Sequence, residues 1–151
     1  MDLTADTIRR YTAHAFDGMT RVLDRLDDET VNQRPSGWGT NSVAGLVVHC
    51  CELAPSWFLA PGLGRDSVRD REAEFTTTAT VAELRQRIAD TVTQIDSLVG
   101  EFVEGPTATG HDLRAFLPGG DRSDAAIVLH VFEELFQHLG HMEVTAEALG
   151  R

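Results

Sequence analysis

The sequence predicts an all-α protein, a four-helix bundle connected in part by long loops. Four segments carry apolar residues at the three- and four-residue spacing of amphipathic helices, and no segment shows a convincing alternation of apolar and polar residues. The length of 151 residues suits one domain, and 42% hydrophobic with 25% charged residues is ordinary for a globular protein. We therefore expect residues 1–151 to form a single domain.

The first helix is predicted from about Thr4 to Asp27, where the chain changes to the helix-breaking stretch DETVNQRPSGWG. Its apolar stripe consists of Ile8, Tyr11, Ala15, Met19, Val22, Leu23 and Leu26. The second helix begins at Thr40, Asn41 or Ser42, each of which is a suitable N-cap, and ends in LAPGLG. A proline at position 55 is expected to kink its last turns.

The third helix has the clearest start, because Thr80 and Glu83 form the T-x-x-E pattern of a capping box. It is expected to end near Gly100. Residues 62–79 form a loop with a short helical turn around Ser67–Glu74, and residues 101–122 form a second long loop. The fourth helix starts at Ser123 or Asp124 and runs to Leu149. Two long loops permit crossover connections, so the helices need not run simply up and down.

The charge of the chain excludes several classes of partner. All thirteen basic residues are arginine, and the net charge is −11. Binding to DNA, RNA or an anionic membrane requires clustered positive charge, which this composition does not favour. The apolar runs are expected to be shorter than the roughly 20 residues of a membrane span, and the N-terminus lacks the apolar core of a signal peptide. These features predict a cytoplasmic protein.

The two cysteines, Cys50 and Cys51, are adjacent on the second helix, where neighbouring side chains point about 100° apart. A disulfide between them would be strained, and no other cysteine is present to form one. We expect both to be small buried hydrophobic residues, with their role otherwise open.

Three of the six histidines lie on the fourth helix, in the segment HVFEELFQHLGH. At about 100° per residue, His130, Glu134, His138 and His141 share an arc of about 80° that borders the apolar face. A carboxylate and imidazoles beside the core need partners, and a metal ion is one way to provide them. Two of the other histidines, His14 and His111, are expected on the surface or in a loop.

The spacing of Glu134 and His138, one helical turn apart, allows both to bind one ion. His49, in the apolar segment GLVVHCCEL, is the best candidate for a third ligand from another helix, with Glu52 and Cys50 as weaker alternatives. An ordinary side-chain pair on one helix would show the same four-residue gap. His130 and His141 are candidates for contacts to a ligand or substrate, or for a solvated rim.

Two segments carry a family resemblance. GWGTNSVAGLVVHCCELAPSWF resembles the second helix of the DinB/YfiT-like superfamily, and VLHVFEELFQHLGHMEVTAEAL is similar to its last helix. The form E-x-x-x-H-x-G-H resembles the branch of mycothiol-dependent maleylpyruvate isomerases and mycothiol S-transferases. The resemblance implies a DinB-like bundle with long crossover loops. It places the family's metal ligands on His49, Glu134 and His138.

The resemblance also implies an activity: a metal-dependent thiol S-transferase that conjugates a low-molecular-weight thiol, mycothiol, to an electrophile. The nucleophile would be a metal-activated thiolate. Zn²⁺ suits the ligands and Ni²⁺ stays open. His141 or His130 would act as a catalytic proton shuttle, and Arg65, Arg69 or Arg114 would hold carboxylates of the cosubstrate. The expected partners are the small thiol and the electrophile, and a homodimer stays open.

Other functions remain open at this stage. A non-catalytic metal-binding bundle would act as a sensor or interaction module, with a closed site and His141 as fourth ligand. A mycothiol-dependent isomerase and a metal-dependent amide hydrolase are further alternatives. The isomerases carry an additional C-terminal domain, for which 151 residues leave no room, so the single-domain S-transferases are the expected match in size.

Overall fold

Five α-helices build the computed structural model, which describes residues 3–36, 40–106 and 115–151. Among these residues there is no β-strand, which confirms the all-α prediction. The helices are α1 (Ala5–Leu23), α2 (Val43–Trp57), α3 (Arg71–Thr76), α4 (Val81–Glu104) and α5 (Asp124–Ala148). The four long helices are those predicted from the sequence. Trp38, His111 and Arg114 lie outside the described residues.

Each long helix begins at a side-chain cap. Thr4, Ser42, Thr80 and Ser123 each accept a hydrogen bond from the backbone N–H three residues later. Ser42 is therefore the cap of α2 among the three candidates. At α4 the side chain of Glu83 also accepts from the backbone N–H of Thr80 at 2.8 Å, so the predicted capping box is present.

The helix ends differ more from the predictions. Helix α1 ends at Leu23, before Asp27, whose carboxylate instead accepts hydrogen bonds from the backbone N–H and the hydroxyl of Thr30, both at 2.8 Å. Helix α4 runs past Gly100 to Glu104, because the buried ring of Phe102 continues its apolar stripe. Helix α3 occupies Arg71–Thr76, later than the predicted turn, because Asp70 caps it.

Contacts between side chains define the helix directions. Arg9 pairs with Asp96 at 2.7 Å near the start of α1, and Arg85 pairs with Asp24 just beyond its end, so α1 and α4 are antiparallel. Helix α2 also packs on α4, but in a parallel direction. This is clear from Glu52, which pairs with Arg87, and from Phe58, whose ring contacts the ring of Phe102 further along both elements.

Helix α5 completes the bundle by packing on both α1 and α2. Trp57 contacts His130 and His49 contacts His138, so α2 and α5 are antiparallel. The four long helices thus run up, down, down and up in chain order. The connection between the parallel helices α2 and α4 is a crossover, as the long-loop pattern predicted. It contains a π-helical turn, Phe58–Gly62, and the short helix α3.

Helix α2 is the most buried element of the bundle. Val43–Gly62, which comprises α2 and the following turn, is 20 residues long and apolar enough to cross a membrane by length and composition. The sequence-based expectation that no run approached that length was therefore wrong. The helix continues through Pro55, so the apolar run is not divided there. Because most of the segment is buried by the other helices, it is explained as the core helix of the bundle.

The capping box predicts a measurable contribution to stability. Thr80→Ala removes the hydroxyl that accepts from the N–H of Glu83 and should lower the free energy of unfolding by about 1 kcal/mol. Urea unfolding followed by circular dichroism measures the change. The matched control is Thr93→Ala on the exposed face of the same helix, which should change stability by less than about 0.5 kcal/mol. Equal losses in both variants would contradict the capping role.

Candidate metal centre

The antiparallel packing of α2 on α5 brings His49, Glu134 and His138 together. One ligand atom from each residue lies within 4.8 Å of those of the other two. The Glu134 Oε2 atom is 3.8 Å from His49 Nε2 and 3.3 Å from His138 Nε2. The structure thus brings together the three residues that the sequence analysis selected as ligands.

This donor set fits a divalent ion. Two imidazole nitrogens and one carboxylate oxygen are the ligands of many catalytic zinc sites, in which a fourth position is left for water or substrate. Around one such ion, ligand atoms at about 2.0–2.2 Å from the metal lie roughly 3–4 Å from one another. The observed separations of 3.3 Å and 3.8 Å fall in that range.

The charge state of Glu134 also suits a metal ligand. The neighbouring imidazoles of His138 and His49 hold the pKa of the Glu134 carboxyl well below its usual range, and the nearby His130 adds to the effect. Partial burial acts in the opposite direction without cancelling it. The side chain is therefore a carboxylate at neutral pH, surrounded by imidazoles on three sides.

His49 is held by a residue that the sequence analysis missed. Its imidazole is only 2% exposed, and its Nδ1 atom lies 2.8 Å from the Oε2 atom of Glu74. Glu74 is itself buried and forms two hydrogen bonds with the guanidinium of Arg69, at 2.9 Å and 2.8 Å. Glu74 lies 25 residues from His49 in a loop-rich segment, so no spacing pattern connects the two.

The two remaining histidines of α5 occupy different environments. His130 packs against Trp57 with ring centroids 4.3 Å apart, and its Nε2 atom is 3.9 Å from Glu134 Oε1. The ring of His141 lies 6.4 Å from the ring of His138. His141 follows His138 in sequence, whereas His130 precedes Glu134. Burial, with a smaller contribution from His138, lowers the pKa of His141, which favours a neutral imidazole at pH 7.

A cleft of about 510 Å³ lies beside the three candidate ligands. Glu134 and His130 form part of its wall, so one of the three candidate ligands faces the cleft directly. Trp57 contributes an apolar surface, and Arg69 and Arg71 contribute positive charge. The cleft therefore combines an apolar wall, basic groups and a candidate metal ligand, which is an arrangement typical of small-molecule sites.

The weaker ligand candidates lie outside this group. Glu52 is half-exposed and pairs with Arg87 of α4 at 2.8 Å. Cys50 is fully buried, and burial raises the pKa of its thiol well above the usual range. His14 is exposed on α1, as expected. Among the predicted carboxylate-binding arginines, Arg65 pairs with Glu101 at the surface, whereas Arg69 lines the cleft while bound to Glu74.

A helical bundle with a candidate metal centre beside a cleft is thus the class of protein that the fold and the site define. The chain matches the family model of the mycothiol S-transferases over residues 7–150. No curated protein and no solved structure matches it significantly. Because the family match covers nearly the whole chain, the protein belongs to the mycothiol S-transferase family, within the DinB/YfiT-like superfamily.

The environment of the cysteines predicts that neither is a nucleophile. Both are free and buried, and burial raises the pKa of Cys51 to about 12, so the reactive thiolate is scarce at neutral pH. Titration of the native protein with a disulfide reagent at about pH 7.5 should modify few thiols within minutes. The same reagent in guanidinium chloride should modify both. Rapid labelling of the native protein would contradict the buried environment.

Proposed function

We propose that the protein is a metal-dependent thiol S-transferase that conjugates mycothiol to a small electrophile in the cleft beside Glu134. The observation that carries the proposal is the double position of Glu134, which belongs to the three-residue ligand group and also lines the cleft. A substrate in the cleft would therefore lie next to the ion. Membership of the mycothiol S-transferase family supports the thiol and the transfer reaction.

In this proposal His49, Glu134 and His138 hold the metal. Zn²⁺ suits their donor atoms, and Ni²⁺ is the alternative to be tested. When bound, a divalent ion supplies positive charge that favours the thiolate form of a thiol beside it. The carboxylate of Glu134 neutralises one of the two charges and leaves the centre attractive to an anionic sulfur.

His130 is the residue we propose to accept the thiol proton. Its imidazole lines the cleft, and its Nε2 atom lies 3.9 Å from Glu134 Oε1. His141 is the second candidate, because its lowered pKa keeps the ring able to accept a proton at neutral pH. Its ring lies against His138, and it is not among the residues that line the cleft.

The nucleophilic sulfur has to come from a cosubstrate in this mechanism. Cys50 and Cys51 are buried within α2, and the pKa values of both thiols are raised. The apolar surface of Trp57 suits the body of an electrophile, and Arg71, an exposed basic residue at the cleft, suits an anionic group on it.

We propose a cytoplasmic protein that acts on small molecules, without a nucleic-acid or membrane partner, as a single domain.

The cleft also bears on the alternative of a closed, non-catalytic metal site. Such a site would need a fourth protein ligand, and His141 was the candidate. The ligand group contains His49, Glu134 and His138 without His141, and the cleft runs along one side of Glu134. These features favour an open position. Isomerase and amide hydrolase activities belong in the same assay panel, because an open centre would serve them too.

Metal binding provides the first test. The metal-free protein should take up one zinc ion per chain, measured by elemental analysis after gel filtration and by chelator competition. Loss of an outer partner of a ligand already weakens metal affinity about 10–100-fold, so His49→Gln and His138→Gln should lose more than that.

His14→Gln is the matched control, because His14 is exposed on α1 and remote in sequence from the ligand group. It should bind zinc as the wild type does. Circular dichroism would establish that each variant is folded. Unchanged zinc affinity in a folded His49→Gln or His138→Gln variant would exclude the proposed ligand set.

The role of His130 predicts a separable effect on turnover. His130→Gln should keep zinc stoichiometry but lower kcat for mycothiol conjugation by about 100-fold, the lower range for a general base. Conjugation to a fluorogenic bimane electrophile measures the rate, with glutathione and bacillithiol as comparison thiols. His141→Gln tests the second candidate in parallel. Full activity in both variants would show that neither imidazole handles the proton.

A further inference from the structure

Glu74 is the buried ionisable group for which the proposed mechanism has no role. It is only 3% exposed, yet it lies in the crossover connection between α2 and α4, far in sequence from the ligands. The Oε1 and Oε2 atoms of its carboxylate accept hydrogen bonds from Arg69, and Oε2 also lies 2.8 Å from His49 Nδ1. Burial of a carboxylate is costly unless it is paired, and Arg69 supplies the pairing charge.

The chemistry of these contacts fixes where the proton of His49 lies. An ionised carboxylate only accepts hydrogen bonds, so the 2.8 Å contact requires that His49 Nδ1 carries a proton. The nearest competing donor, Arg69 Nη2, is 3.4 Å from the same nitrogen. In the neutral ring the lone pair is then on Nε2, the atom that lies 3.8 Å from Glu134 Oε2.

The orientation of the His49 imidazole is fixed by helix α3, which also carries Glu74. Phe75, the residue after Glu74, stacks on His49 with ring centroids 4.7 Å apart and an interplanar angle of 26°. The backbone oxygen of Phe75 accepts a hydrogen bond from Arg34 at 2.6 Å, and Asp70 caps α3. Helix α3 therefore contacts His49 through one hydrogen-bonding side chain and one aromatic face.

We propose that Glu74, paired with Arg69, is a positioning residue that holds His49 in the Nδ1–H form and directs its Nε2 lone pair toward Glu134 and His138. The inference rests on the proposed function, in which those residues hold the metal. Metal-binding histidines in general donate their second N–H to a carboxylate or carbonyl, which fixes the tautomer. Arg69 also lines the cleft, so the guanidinium connects this outer partner with the substrate-binding surface.

The direct test is the tautomer of His49 in the metal-free wild-type protein. Long-range ¹H–¹⁵N correlation spectra at about pH 8 distinguish protonated from unprotonated ring nitrogens, and His49→Gln identifies the signal. We expect a protonated Nδ1 and an unprotonated Nε2. A neutral ring with its proton on Nε2 and none on Nδ1 would overturn the proposal, and this result requires no variant of Glu74 to be folded.

Variants of Glu74 then test the consequence for metal affinity. Glu74→Leu removes the acceptor, while Arg69 can turn into the cleft, and should weaken zinc binding about 10–100-fold and populate the Nε2–H tautomer. Glu74→Gln retains an acceptor oxygen and should restore most of the Nδ1–H form with a smaller loss of affinity. Glu72→Gln, an exposed charge change on the same helix, should alter affinity less than about 2-fold.

Failure of this inference is distinguishable from failure of the proposed function. A folded Glu74→Leu variant with wild-type tautomer and zinc affinity would overturn the role of Glu74 and leave the three ligands in place. A wild-type protein that binds no zinc would contradict the proposed function. In that case the His49 tautomer, recorded without metal, still supports or overturns the positioning by Glu74.

Discussion

The antiparallel packing of α2 on α5 is the constraint on which the site depends. Helix α2 is surrounded by the rest of the bundle, so its one imidazole, His49, has no water to satisfy its two nitrogens. Partners have to come from neighbouring elements, and they come from two directions. Helix α3 supplies Glu74 for one nitrogen, and α5 supplies Glu134 and His138 beside the other.

The electrostatics of the site follow from this burial. A protein of net charge −11 places two carboxylates beside His49, and the negative charge of each is balanced by different groups. Glu74 has the guanidinium of Arg69, a permanent cation with two matched donors. The charge of Glu134 is stabilised by the neighbouring imidazoles of His138, His49 and His130. Because the charge of Glu74 is already balanced by the Arg69 guanidinium, Glu134 is the carboxylate better suited to a metal ion.

Sequence reasoning succeeded where the relevant residues are periodic within one helix or capped by local patterns. The T-x-x-E box at Thr80 and the helical spacing of Glu134 and His138 are of this kind, and both appear in the structure as expected. Pairing them with His49 required only that an apolar helix contain one histidine. The contact of Glu74 with His49 spans 25 residues and crosses the irregular residues 64–70, so it has no period to detect. The span of α2 was misjudged for another reason, because its isolated polar residues and Pro55 divided an apolar stretch that the fold buries as a whole.

The candidate metal ligands and the charged residues around them lie on different parts of the chain. The candidate ligands lie on the long helices α2 and α5, whereas Arg69, Glu74 and Arg71 belong to the connection between α2 and α4. Substitutions at the exposed residues of that segment, such as Arg71, can alter the charge of the cleft without disturbing the packing of the core. Diversification of the small-molecule cleft, by natural drift or in the laboratory, would therefore proceed most readily through the exposed residues within 64–73.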